Sequence, residues 1–144
     1  MQNFSLDPRL AADCYRLGQL GRAELLLMNN AHFPWLILVP HSPHTEFFEL
    51  DASEQLALMT SINSLSVFIK QQFSSDRLNI ATIGNIVSQL HIHIIGRSSE
   101  DICWPGVVWG TAHRKAYASA DVEWISAALA AHLGSDFIAS SALL

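Results

Sequence analysis

Two histidines at i and i+2, His91 and His93, stand in the run Gln89-Leu90-His91-Ile92-His93-Ile94-Ile95-Gly96-Arg97. Side chains on a strand alternate faces, so Gln89, His91 and His93 share one face while Leu90, Ile92 and Ile94 share the other and belong in a core. That spacing presents two imidazoles about 7 Å apart on a hydrophobic foundation. Neutral imidazole, with an ordinary pKa of about 6.5, is a competent nucleophile toward phosphorus near neutral pH. To attack, its Nε2 must be unprotonated, which requires that an acceptor hold Nδ1–H; a backbone carbonyl of the neighbouring strand would do so. The second imidazole can donate to the oxygens of the transferring group. No metal and no cofactor is required in principle.

The longer run Gly84-Asn85-Ile86-Val87-Ser88-Gln89-Leu90-His91-Ile92-His93-Ile94-Ile95-Gly96-Arg97 resembles the signature of the histidine triad (HIT) superfamily of nucleotide hydrolases and transferases, G-Q-T-V-x-H-φ-H-φ-H-φ-φ-P/G-R with φ apolar. The resemblance places His91 at the middle histidine, the family's nucleophile, and His93 at the third. Gln89 stands where the first histidine belongs. A rival register makes His91 the first histidine and puts Ile95 in the third slot, but it loses the anchors at Gly84-Asn85 and Ile95-Gly96-Arg97. The resemblance further implies that Asn29, with Asn30 beside it, takes the position of the acidic residue that contacts the ribose. Asn85 matches the glutamine that touches the phosphate, and Ser88 lies within reach of it. Val39-Pro40-His41-Ser42-Pro43-His44 is similar to the family's I-P-K-x-H, with His41 in the lysine position and His44 one residue late. Trp104-Pro105-Gly106 is similar to a Trp-Pro segment that some members place near the partner subunit's nucleotide. The implied substrate is a purine nucleotide cleaved at its α-phosphate through a nucleotidyl-histidine, and the implied assembly is a homodimer.

Other readings of the same residues stay open. A strand pair of histidines can ligate zinc, given a third ligand such as His44 or His113. Gln89 cannot take up a proton, so the chain could also be a nucleotide-binding or regulatory module with little turnover. Arg97 reads as one half of a structural ion pair, and Asn79, inside an apolar strand, needs a partner. Trp104 and Trp109 could stack on a base, but a dimer core accounts for them as well. His32, His113 and His132 read as solvated surface.

A chain of 144 residues fits a single domain. The expected division is one HIT-like domain over 1–144, with the resemblance spanning about 20–110 and a C-terminal helical extension over 111–144. Half the residues are hydrophobic and 15% are charged, which hints at apolar surface buried between subunits. A net charge of −5 argues against nucleic-acid polymers and anionic membranes as partners. Two cysteines without metal-type spacing, and no evident signal peptide, point to the cytoplasm.

The elements that must position the site follow from patterning. Asp7-Pro8 reads as a helix start, and Leu10, Ala11, Cys14, Tyr15 and Leu17 extend that helix to Gly18 or Gly21. Glu24–Met28 and Trp35–Val39 read as strands. Asp51 or Ser53 opens the longest helix, Glu54 to Phe73, with Leu56, Met59, Ile62, Leu65, Ile69 and Phe73 at core spacing. Leu78–Ile83 and Gln89–Ile95 read as strands joined by a short turn through Gly84-Asn85, and Asp121–Leu133 as a last helix ending at Gly134. The order fits an α+β fold: an antiparallel HIT-like sheet with the long helix packed on it.

Overall fold

The computed structural model describes residues 3–143. Its strands are β1 (Cys14–Leu20), β2 (Ala23–Met28), β3 (Trp35–Pro40), β4 (Arg77–Ala81), β5 (Ile92–Arg97) and β6 (Phe137–Ala139). Its helices are α1 (Pro8–Asp13), α2 (Ala52–Phe73) and α3 (Ser119–Leu133). The strands form one sheet in the order β4-β5-β3-β2-β1-β6, antiparallel at every pairing. This is the α+β architecture expected from the patterning. No helix among the described residues is long and apolar enough to cross a membrane.

Alternation sorts each central strand onto two faces. Leu36, Leu38, Ile92 and Ile94 join the core beneath α2 and α3, with Leu58, Ile62, Leu65, Ile69, Val122, Ile125 and Leu129. Trp35, Ile37, Val39 and Ile95 enter a second core on the opposite face, covered by Leu6 and Leu10 from the N-terminal segment and by Val108. Both faces of β3 and β5 are therefore buried, and only backbone paired within a sheet tolerates that position.

Three elements depart from the sequence expectation. The first helix stops at Asp13, and Cys14–Leu20 is a strand rather than the helix's second half. Gly21, at φ +58°, turns the chain so that Cys14–Leu20 pairs with Ala23–Met28. Pairing on both sides of β1 overrides a helix propensity worth only tenths of a kcal/mol per residue. The second departure concerns α2. It is capped as expected, with Asp51 accepting from the Glu54 N–H at 2.8 Å and the Glu54 side chain returning to the Asp51 N–H. Its core face, however, is Leu58, Ile62, Leu65, Phe68 and Ile69. Leu56 and Met59 lie outside the i, i+4, i+7 row and stay exposed. Third, β4 and β5 are joined not by a tight turn but by the segment 82–91, and β5 begins only at Ile92.

Beyond α3, the C-terminal region returns to the sheet as β6, an edge strand on β1 that carried no readable signal at its short length. Gly96 is fixed by space. A Cβ there would strike the Ser75 hydroxyl and come within 2.6 Å of Ile69 Cγ2 and 2.7 Å of Pro34 Cγ. Next to it, buried Arg97 donates to Asp101 at 2.8 and 3.0 Å and to Asn79 at 3.0 Å, which satisfies both residues read as structural. Burial alone would raise the Asp101 pKa. The Arg97 guanidinium and the Ser98 and Cys103 N–H groups outweigh it and hold the carboxyl below its ordinary value.

Candidate active site

The β3–β5 register sets Ile37 opposite His93 and Trp35 opposite Ile95. Trp35 and His93 are thus diagonal neighbours on one face, within reach of a long aromatic side chain. The Trp35 indole N–H donates to His93 Nδ1 at 3.0 Å. A ring nitrogen that accepts carries no proton, so His93 is the neutral tautomer with its proton on Nε2. Burial, with the neighbouring His91 ring, lowers the His93 pKa to about 4. His93 is therefore an uncharged donor at any pH near neutrality.

His91 lies one residue before the start of β5. Its Nδ1 meets the Gln89 carbonyl at 2.7 Å. A carbonyl only accepts, so Nδ1 carries a proton, and in the neutral ring Nε2 bears the free lone pair. The acceptor comes from two residues upstream in the same segment, not from the neighbouring strand. The two rings lie 4.9 Å apart at 69°, closer than simple strand spacing gives. Behind them Leu90 and Ile92 are buried in the core. In front, Trp109 packs edge-on to His93 at 5.4 Å and to Trp35 at 6.4 Å. Its indole nitrogen is buried and has no hydrogen-bond partner among the described residues.

The remaining candidates separate. The Gln89 side chain hydrogen-bonds backbone elsewhere: Oε1 accepts from the Asp7 N–H at 2.8 Å, and Nε2 donates to the Ser5 carbonyl at 2.9 Å. Asn29 Oδ1 accepts from the Tyr117 N–H at 2.9 Å, while Asn30, buried, accepts from His32 and donates to the His113 carbonyl. Both asparagines thereby tie segment 113–117 to the β2–β3 turn. Both also line a cavity of about 80 Å³ with Asp13, Met28, Trp35 and Arg114, so Trp35 links that cavity to the histidines. Asn85 and Ser88 are exposed in the 82–91 segment. His44 is exposed too, and among the described residues no cluster of three or more His, Cys, Asp or Glu side chains could hold a metal ion. A larger cavity, about 300 Å³, lies between the β1–β2 turn and the start of α2 and includes neither His91 nor His93. Burial, with Asp13 nearby, pushes the Cys14 thiol up to about 12, which removes it as a rival nucleophile near neutral pH.

Comparison with known proteins establishes the family. Residues 9–100 match the HIT domain. The chain belongs to the histidine triad family. A histidine triad protein from Bradyrhizobium japonicum shares 39% identity and superposes with a TM-score of 0.86, over 90% of this chain and 98% of that one. A histidine triad (HIT) protein from Sinorhizobium meliloti shares 36% at a TM-score of 0.87, over 92% and 98%. One from Marinobacter aquaeolei shares 38% at 0.85, over 90% and 96%. No curated protein matches the chain.

Two parts of this histidine triad protein's site escaped sequence reasoning. Trp35 read only as a strand residue, since nothing in its local pattern announces a partner 58 positions away. The N-terminal segment 3–7 shows in sequence only the helix start at Asp7, yet it receives the Gln89 side chain. His132, expected from sequence at the solvated surface, is instead half-buried on α3, bonded to the Ser64 carbonyl at 2.9 Å and packed on Phe68 at 5.6 Å.

Proposed function

We propose that this histidine triad protein is a hydrolase that cleaves a phosphoanhydride or phosphoramidate bond at the α-phosphate of a purine nucleotide. The observation that carries the reading is the tautomer pair, a free Nε2 lone pair on His91 beside an Nε2–H donor on His93. His91 Nε2 forms a bond to the α-phosphorus as the bond to the leaving group breaks. The leaving group departs with the electron pair of the broken bond: a phosphate leaves as the anion and takes a proton from water, and an amine, protonated on nitrogen by solvent beforehand, leaves neutral. His93 donates to a non-bridging oxygen as charge develops there. Water then attacks the same phosphorus, the P–N bond breaks, and His91 returns with the nucleoside monophosphate released.

In this reading Asn29 and Asn30 mark the nucleoside end and Asn85 and Ser88 the phosphate end, while Gln89 acts through its main chain. Ligand sites for molecules of this size measure about 300–1,000 Å³. A purine nucleotide therefore lies across the mouth of the 80 Å³ cavity rather than wholly within it. The functional unit we assign is a homodimer, supported by exposed Leu56, Met59, Val67 and Ile80 on α2 and edge strand β4. The two free cysteines suit the cytoplasm, and the net charge of −5 disfavours nucleic-acid polymers and membrane surfaces.

One observation favours a second reading, a nucleotide-binding or regulatory module with little turnover: His91 and His93 are 6% and 5% exposed. Incubation with adenosine 5′-phosphoramidate and with diadenosine polyphosphates separates the two. The hydrolase reading expects adenosine monophosphate from wild type, none from His91→Ala, and an acid-labile nucleotidyl adduct on quenching. Binding of the nucleotide without product would favour the module.

A further inference from the structure

The residue at the family's first-histidine position has a different job in this chain. Its side-chain oxygen and nitrogen lie side by side, and they meet the Asp7 N–H and the Ser5 carbonyl as a neighbouring strand would. An imidazole cannot make that pair of bonds to one extended segment, because its two nitrogens point in diverging directions. The segment so clasped is a strap across the second core. Leu6 and Leu10 are buried with Trp35, Ile37 and Val108, Asp7 accepts from the Arg9 N–H at the start of α1, and the Phe4 ring sits 4.3 Å from that of His41.

The main chain of Gln89 needs such support. The β3–β5 ladder runs from Trp35–Ile95 to Leu38–Ile92, and the β4–β5 ladder ends at Ala81–His93. Residues 89–91 lie beyond both, so no ladder bond fixes the Gln89 peptide. Yet its carbonyl is the acceptor that keeps the His91 proton on Nδ1, at 2.7 Å.

We infer that Gln89 is a positioning residue for His91: by clasping the strap through its side chain, it holds its own carbonyl where that carbonyl fixes the His91 tautomer. Replacement of the first histidine is then an exchange of roles, with the strap supplying the order. The inference rests on the proposed nucleophilic role of His91 for its catalytic consequence, but not for the tautomer itself.

Long-range ¹H–¹⁵N NMR of the ring nitrogens reads that tautomer on the free protein. Wild type should show His91 as Nδ1–H. Gln89→Leu, which keeps volume but loses both bonds, should give a mixture containing Nε2–H, and Leu6→Asp, which loosens the strap with Gln89 intact, should do the same. Turnover of adenosine 5′-phosphoramidate should fall about ten- to a hundredfold in kcat, with KM within about twofold. Gln89→His should resemble Gln89→Leu. Should Leu6→Asp not fold, Gln89→Glu serves in its place, since it keeps the acceptor for Asp7 and loses the donor to Ser5. Retention of pure Nδ1–H in the folded variants would overturn the inference, as would a Gln89→His rate at or above wild type. If wild type turns over no nucleotide while the tautomer responds as expected, the hydrolase reading fails and the positioning role stands.

Discussion

Trp35 gives its indole proton to Nδ1 of His93, across the β3–β5 pair, at 3.0 Å. That bond decides which nitrogen of His93 can face a substrate, and it ties the site to a strand far from the histidine motif. Trp35→Phe removes the donor and leaves a buried acceptor unpaired, at a cost of about 1–3 kcal/mol. The expected result is lower stability in urea unfolding together with a mixed His93 tautomer in the ring-nitrogen spectrum. A pure Nε2–H tautomer in the folded variant would show that Trp35 does not set it.

His93 should make stability pH-dependent. An unfolded imidazole titrates near 6.5 and the folded one near 4. Between those values the unfolded chain binds more protons, so stability rises with pH over that window. The contribution is complete above pH 6.5, declines as pH falls, and is gone below about 4. Its full size is about 3 kcal/mol. His93→Gln keeps a donor and an acceptor but does not titrate. Between pH 7 and 4, wild type should therefore lose about 3 kcal/mol more stability than the variant; parallel curves would refute the assignment.

His91→Ala should remove turnover without removing the fold. The ring is nearly buried against His93, so its loss is not free, and a stability decrease of about 1–2 kcal/mol is expected. Circular dichroism and thermal melting check the fold beside the activity assay. An unfolded His91→Ala protein would leave the lost activity without meaning as a mechanistic result.

Asp101→Ala should be among the more damaging substitutions away from the histidines. Arg97 is 2% exposed, and removing Asp101 leaves its guanidinium with only Asn79 among its hydrogen-bond acceptors. Breaking one side of a buried pair costs about 3–5 kcal/mol. Asn79→Ala, which removes a single neutral acceptor, should cost about 1–2 kcal/mol. Denaturant unfolding of the two variants measures the difference, and equal effects would contradict the ranking.

Gly96→Ala places a methyl against Ser75, Ile69 and Pro34. Overpacking of this kind costs about 1–3 kcal/mol. Because Gly96 lies on β5 between Ile95 and Arg97, the shift should also reach the ion pair, visible as changed Arg97 side-chain resonances. A variant as stable as wild type would mean that the strand moves freely there.

Local chemistry alone determined a good deal of this protein. The apolar alternation of Leu90, Ile92 and Ile94 against His91 and His93 fixed which side chains face which way, because a strand has only two faces. Asp51 with Glu54 fixed where the long helix begins, because its first N–H groups need acceptors. The apolar runs Glu24–Met28 and Trp35–Val39 announced the central strands. What the tertiary structure alone decided is the set of contacts between residues distant in sequence. Cys14–Leu20 became a strand only because neighbours were there to pair with it. Gln89 found its partners 82 and 84 positions upstream, and His93 found Trp35 58 positions away. The His93 proton is placed by a donor 58 positions away, whereas the acceptor for His91, the Gln89 carbonyl, is local, and only the partners of the Gln89 side chain are distant. No local pattern encodes those distant contacts, since a hydrogen bond is specified by position in space and not by separation along the chain.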